Sequence, residues 1–249
     1  MYSANRVDLA TSFFQPMMDF VPKARRAAGY KNCSALSYAA HIGPFGFASA
    51  DSGMSQGAEH GDLGFQDNGL FAGMNFVLHW EHTHDLLWLK TVGFPYLRDN
   101  FALYQCLLEK QPDGTYVDVK DSDTECSETG HFPGGWNTRC KRKSFGMAIA
   151  FVKRAGAVLP EMARALGVPV DPQWLDITHN LVSPPAFNGT FAVSPAAARW
   201  PGEVVNLEDQ PELVARGLKT VRYNGGFGCN NCFGASLTHV DLSLLPSQL

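Results

Sequence analysis

Residues 69–85 read GLFAGMNFVLHWEHTHD, residues 86–110 read LLWLKTVGFPYLRDNFALYQCLLEK, and residues 111–125 read QPDGTYVDVKDSDTE. In the first block Leu70, Met74, Val77 and Leu78 recur at helical spacing, so one stripe faces a core. Asp67 or Asn68 can cap its start by accepting a free backbone N–H. Thr83 and Asp85 form a joint, with Asp85 suited to begin the next turn. Gly93-Phe94-Pro95 is expected to break that turn, and Pro95 can start a new helix because its missing N–H is not needed there. Leu97, Phe101, Tyr104 and Leu108 mark the second helix's buried face. Pro112-Asp113-Gly114 is a tight turn, and Tyr116, Val117 and Val119 suit a short strand beyond it. The stretch therefore runs helix, joint, helix, hairpin, and ends in an acidic loop at Glu125.

Outward from this core, Asp8–Ala28 reads as a helix with Leu9, Phe13, Met17 and Phe20 on one face and Pro16 kinking or restarting it. Residues 34–69 form a long glycine-rich loop, of a length that is functional or disordered inside a compact domain; Phe45, Phe47 and Phe65 argue for order. After Glu125, Cys126 and Cys140 can staple a loop containing Glu128, His131 and Trp136. Lys143–Leu166 is a long helix with Met147, Phe151, Ala155, Val158, Met162 and Leu166 inward, Gly156 and Pro160 as bending points, and Gly167 as its C-cap. Asp171–Leu181 begins with Asp-Pro, a helix-start signal, and turns Trp174 and Ile177 inward. Residues 186–210 are loop-rich, 207–221 are helical, and Asn224–Gly234 is a glycine-rich loop.

A chain of 249 residues that is 45% hydrophobic can bury a substantial single core, and 18% charged residues exclude a disordered polyelectrolyte. The net charge is −4 and the longest basic run is Lys141-Arg142-Lys143, which argues against a nucleic-acid partner. No apolar run has the length of a membrane span, and the first ten residues lack a signal-peptide core. Six cysteines, at 33, 106, 126, 140, 229 and 232, are compatible with disulfides that spacing alone does not pair. Asn32-Cys33-Ser34 and Asn188-Gly189-Thr190 match the N-glycosylation sequon, a short pattern that also arises by chance. These features suit an extracytoplasmic compartment without assigning one.

At this point a family resemblance emerges. Gly69, Phe71, His79, Trp80, Thr83, Asp85, Leu89, Phe94-Pro95, Leu97, Asp113-Gly114, Ser122 and Glu125 fall in nearly gapless register with the catalytic toroid of glycoside hydrolase family 95, and the run resembles that family and related six-hairpin glycosidases. Asn75 stands where the family has a histidine, and Thr124 where it has a proline. The resemblance implies an all-α fold: one domain over 1–249, an incomplete (α/α)6 toroid with a short β-hairpin. The family's water-holding asparagine segment would precede Met1, so the chain is expected to be a fragment of a longer protein; the family's late histidine motif is not found either.

Inverting glycoside hydrolysis needs a proton-donating carboxylic acid and a base that activates water, with the two groups roughly 6.5–9.5 Å apart. The resemblance makes Glu125 the acid, its pKa to be raised by burial or by Asp121, Asp123 or Glu128. The same residues, taken without the resemblance, read as a solvated acidic loop. Asp62, Asp67, Glu59, Glu208 and Asp209 are the candidates for the base, with none selected. His41, Phe45, His79, Trp80 and Trp136 are the expected sugar contacts, although a surface loop pinned by buried phenylalanines explains His41 and Phe45 as well. His79, Glu81, His82 and His84 invite a metal, but their spacing does not bring three ligands together, and Cys229-x-x-Cys232 lacks a second pair. No metal and no cofactor are expected. Three functions remain: an inverting glycosidase similar to α-L-fucosidases, with a carbohydrate substrate; a non-catalytic carbohydrate-binding or structural remnant; and a polysaccharide lyase with a His or Tyr base.

Overall fold

The computed structural model describes residues 7–38, 42, 66–118, 146–182, 211–212 and 215. Helix accounts for 74% of the described residues and the one sheet among them has two short strands, which is compatible with an all-α fold. A 3-10 turn, Val7–Ala10, leads into α1 (Thr11–Gly29). Next come α2 (Asn68–Thr83) and α3 (Leu86–Trp88), a π-helical turn at Leu89–Gly93, and α4 (Phe94–Leu107). The hairpin of β1 (Glu109–Lys110) and β2 (Tyr116–Val117) follows, then α5 (Gly146–Ala165) and α6 (Pro172–Asn180).

α2 is the central element, because it is apolar on more than one face. Leu70, Met74, Val77 and Trp80 join a cluster with Leu97, Phe101 and Tyr104 of α4, Phe151, Ala155 and Leu159 of α5, and Trp174 and Ile177 of α6. Phe76 faces the other way, into a cluster with Phe14, Met17, Phe20 and Ala24 of α1, Leu36, Tyr38 and Tyr96. The stripe read from the sequence is therefore one of two.

Four local expectations change. The Gly93-Phe94-Pro95 break does not occur: the helix continues through it as a π turn, in which the Phe94 N–H bonds to the Leu89 carbonyl. Pro95 has no N–H and its ring crowds the carbonyl four residues back, and the widened turn absorbs both within one run. Gly93 keeps helical angles; its role is space, since a Cβ there would lie 2.4 Å from the Trp88 ring. At the start of α2, Asp67 makes no capping bond with its side chain, and the Asn68 amide instead donates to the Tyr38 carbonyl at 3.2 Å. α1 passes through Pro16 and Pro22 without restarting, held along its length by Phe14, Met17, Phe20 and Ala24. Leu9 is exposed rather than inward, because the tighter 3-10 turn that carries it is out of phase with the α-helical stripe.

Other expectations match. Thr83 accepts from the Asp85 N–H at 3.3 Å, and the Asp85 carboxylate accepts from the Trp88 N–H at 3.0 Å, which makes the two-residue joint. Gly114 has a φ of 89° in the hairpin loop. Asp171 caps α6 by accepting from the Gln173 N–H at 2.9 Å, with Pro172 as the first helical residue. Gly167, at φ 66°, ends α5, where the Val168 N–H reaches the Ala163 carbonyl and the Gly167 N–H reaches that of Arg164.

A disulfide joins Cys33, just beyond α1, to Cys106 near the end of α4, across 73 residues of chain. With it, residues 35–38 lie between those helices: the Leu36 N–H bonds to the Asp99 carbonyl and the Ser37 N–H to that of Ala24. Closing a loop of 73 residues removes unfolded-state entropy equivalent to about 4 kcal/mol in the chain-entropy model. The double variant Cys33→Ala/Cys106→Ala is expected to lose stability on that scale in urea unfolding. Gly93→Ala is expected to destabilise as well: overpacking against Trp88 costs about 1–3 kcal/mol, against about 1 kcal/mol of helix propensity gained. In a Trp88→Leu background the same alanine should be neutral or stabilising.

Candidate functional site

The hairpin is held on α6 by a small polar cluster. Lys110 Nζ lies 2.8 Å from Asp176 Oδ2, and the Tyr116 hydroxyl donates to the same oxygen at 2.7 Å. Asn180 donates to the other oxygen at 2.7 Å. The Lys110 ammonium, and then the Tyr116 phenol, hold the Asp176 carboxyl down at about 2. The same contacts raise the Lys110 pKa, Asp176 foremost. A parallel bridge pairs Tyr116 with Leu181, and the Val182 N–H reaches the Tyr116 carbonyl at 2.9 Å. β2 thus lies against the end of α6.

The next residue is Asp118, 2% exposed. The sequence reading passed over this buried carboxylate, although a signal was present. Alternate strand residues share a face, so an inward Tyr116 implies an inward Asp118. It lies seven positions before Glu125.

Glu125 itself lies outside the described residues, as do His41, Phe45 and Trp136, the neighbours Asp121, Asp123 and Glu128, and the Cys126–Cys140 and Cys229/Cys232 pairs. Of the base candidates only Asp67 is described, and it is buried at the start of α2.

His79 and Trp80 are described, and both are packed. The His79 ring sits 4.2 Å from the Trp88 ring centroid and 5.0 Å from that of Phe14. Trp80 enters the cluster shared by α2, α4 and α5, with its ring 5.1 Å from that of His84. Each is less than a tenth exposed, so the main role the geometry gives them is to fill the core. Burial lowers the His79 pKa, and the nearby Asp85 charge opposes that shift.

The other members of the histidine-rich run diverge. Glu81 pairs with Arg154 of α5 at 2.6 Å, His82 Nδ1 lies 2.8 Å from the Leu78 carbonyl, and His84 leaves the helix at φ 49°. Among the described residues no three His, Cys, Asp or Glu side chains converge as metal ligands. No helix among them is long and apolar enough to cross a membrane.

The sequence matches no model of a known protein family, and no curated protein matches it.

Because the folded-state pKa of His79 lies below its unfolded value of about 6.5, the unfolded chain binds more protons between the two. The stability from neutral, packed His79 is complete above about pH 6.5 and is lost as pH falls through the folded-state value. Urea midpoints measured from neutral to mildly acidic pH should fall for the wild type. They should fall less for His79→Leu, which has no imidazole to protonate.

Proposed function

We propose that the chain is an inverting glycoside hydrolase acting on a terminal sugar, similar to α-L-fucosidases, with a fold of the (α/α)6-toroid type and Glu125 as the general acid. The observation that carries this reading is the ordered residue series from Gly69 to Glu125. Its support is the sequence of elements: paired helices, a two-residue joint at 84–85, and a hairpin whose turn is Asp113-Gly114. The carboxylic acid would protonate the leaving glycosidic oxygen while a second carboxylate activates water on the opposite face.

A second reading has its own support. In it the chain is a non-catalytic carbohydrate-binding or structural relative of such a toroid. His79 and Trp80, two of the expected sugar contacts, are occupied by packing against Phe14, Trp88 and the α5 cluster.

The test is fucose release from a fucosylated oligosaccharide and from a nitrophenyl fucoside. On the first reading, Glu125→Gln lowers kcat on the oligosaccharide by about 10²–10⁴-fold, the range for lost general acid catalysis. The loss should be smaller on the nitrophenyl substrate, whose leaving group needs little protonation. Proton NMR of the nascent sugar should show the inverted anomer. Sugar binding without turnover would instead establish the second reading, and an unsaturated product absorbing in the ultraviolet would replace both with a lyase.

A further inference from the structure

The end of α1 carries a sequon in an unusual setting. The Cys33 N–H bonds to the Ala28 carbonyl at 3.0 Å and the Asn32 N–H to that of Gly29 at 3.0 Å. This is the helix stop whose penultimate residue is left-handed, and Asn32 occupies that position at φ 59° where glycine is the usual choice. Asparagine tolerates the conformation better than most residues. Its carboxamide is exposed and has no hydrogen-bond partner among the described residues. Ser34, the hydroxyl residue of Asn32-Cys33-Ser34, is also exposed. The middle residue of the triplet is buried and disulfide-bonded to Cys106. A disulfide of this span belongs with an oxidising compartment, the setting in which such triplets are modified.

We propose that Asn32 is an N-glycan acceptor and is modified before the Cys33–Cys106 bond closes. The order follows from the backbone. In the fold, the main chain of Asn32 and Cys33 is committed to the cap of α1, and Cys33 is tied to α4, so the triplet cannot extend into a transferase site. In the open chain it can. The Asn32 amide nitrogen then attacks the anomeric carbon of a lipid-pyrophosphate-linked oligosaccharide. A C–N bond forms, the sugar–oxygen bond breaks, the lipid pyrophosphate leaves, and the amide nitrogen gives up one proton. Later, the Cys33 and Cys106 thiols are oxidised to the disulfide by exchange with an oxidised dithiol of the compartment, which is reduced in turn. The finished glycan projects into solvent from the exposed turn and displaces no packed side chain.

The test directs the full chain into the secretory pathway of a eukaryotic cell. Peptide mapping after amide-cleaving glycosidase treatment then reads conversion of Asn32 to aspartate. Conversion is expected in the wild type and its loss in Ser34→Ala, which keeps Asn32 and the disulfide. Cys106→Ser leaves the triplet intact and open for longer, and should raise the occupied fraction. An unconverted Asn32 in both the wild type and Cys106→Ser overturns the acceptor assignment. Equal occupancy in those two chains overturns the order of events. Asn188, in the other triplet, is mapped separately, so its glycan is not counted as that of Asn32.

Discussion

The close approach of α2 to α4 is the constraint on which the rest of this structure depends. It is possible because residue 69 has no side chain. A Cβ there would lie 1.9 Å from the Asn100 Oδ1 atom and 3.0 Å from the Tyr38 ring. Asn100 is oriented by donating its amide to the Tyr96 carbonyl at 2.9 Å, and the Tyr96 hydroxyl donates to the Gly69 carbonyl at 3.2 Å. Gly69 is thus gripped from both sides. With the helices this close, Phe76 and Tyr96 stack at 3.8 Å with their planes 6° apart. One helix can then serve two cores, with Phe76 in one and Leu70, Met74 and Val77 in the other. Burial pushes the Tyr38 and Tyr96 phenols well above their usual pKa, so both remain neutral hydrogen-bond donors there.

The ion pairs lie around this core rather than in it. Asp99 is bound by Arg25 of α1 at 2.6 Å and by Arg98 of its own helix at 2.7 Å, and both guanidinium groups are about half exposed. Glu81–Arg154 links α2 to α5, and Lys110–Asp176 links the hairpin to α6. Pairs this open to water each contribute little, typically about 0–1 kcal/mol. Their value is geometric: Arg25–Asp99, Glu81–Arg154 and Lys110–Asp176 each join elements far apart in sequence and select one register, while Arg98 holds Asp99 within its own helix. For the hairpin this matters most, since Asp176 ties both strands, through Lys110 and Tyr116, to α6.

The sequence disclosed those features whose cause is local. Asp171-Pro172, Gly167, Asp113-Gly114 and the Thr83–Asp85 joint follow from cap and turn chemistry within a few residues, and each was legible. So was the buried face of α4. What it hid depends on side-chain packing, for the most part between residues distant in the chain. Gly93 resembles a helix breaker until Trp88 is seen to need its space. Asp67 resembles a cap until burial claims its side chain. The second face of α2 is set by Phe14 and Tyr96, which no periodicity within α2 can reveal. Six cysteines allow many pairings, and only the docking of residues 33–38 against α4 selects Cys33 with Cys106. Burial of Asp118 is legible from strand alternation, since it lies two residues beyond the inward Tyr116.

The residues that carry the resemblance have structural work that explains why they occur together. Gly69 admits Asn100; Thr83 and Asp85 make the joint; Leu89, Phe94 and Leu97 fill the cluster beneath α5; Gly114 turns the hairpin. None of these tasks requires a substrate. This frame therefore bears on architecture. Chemistry must be read from residues that packing does not explain.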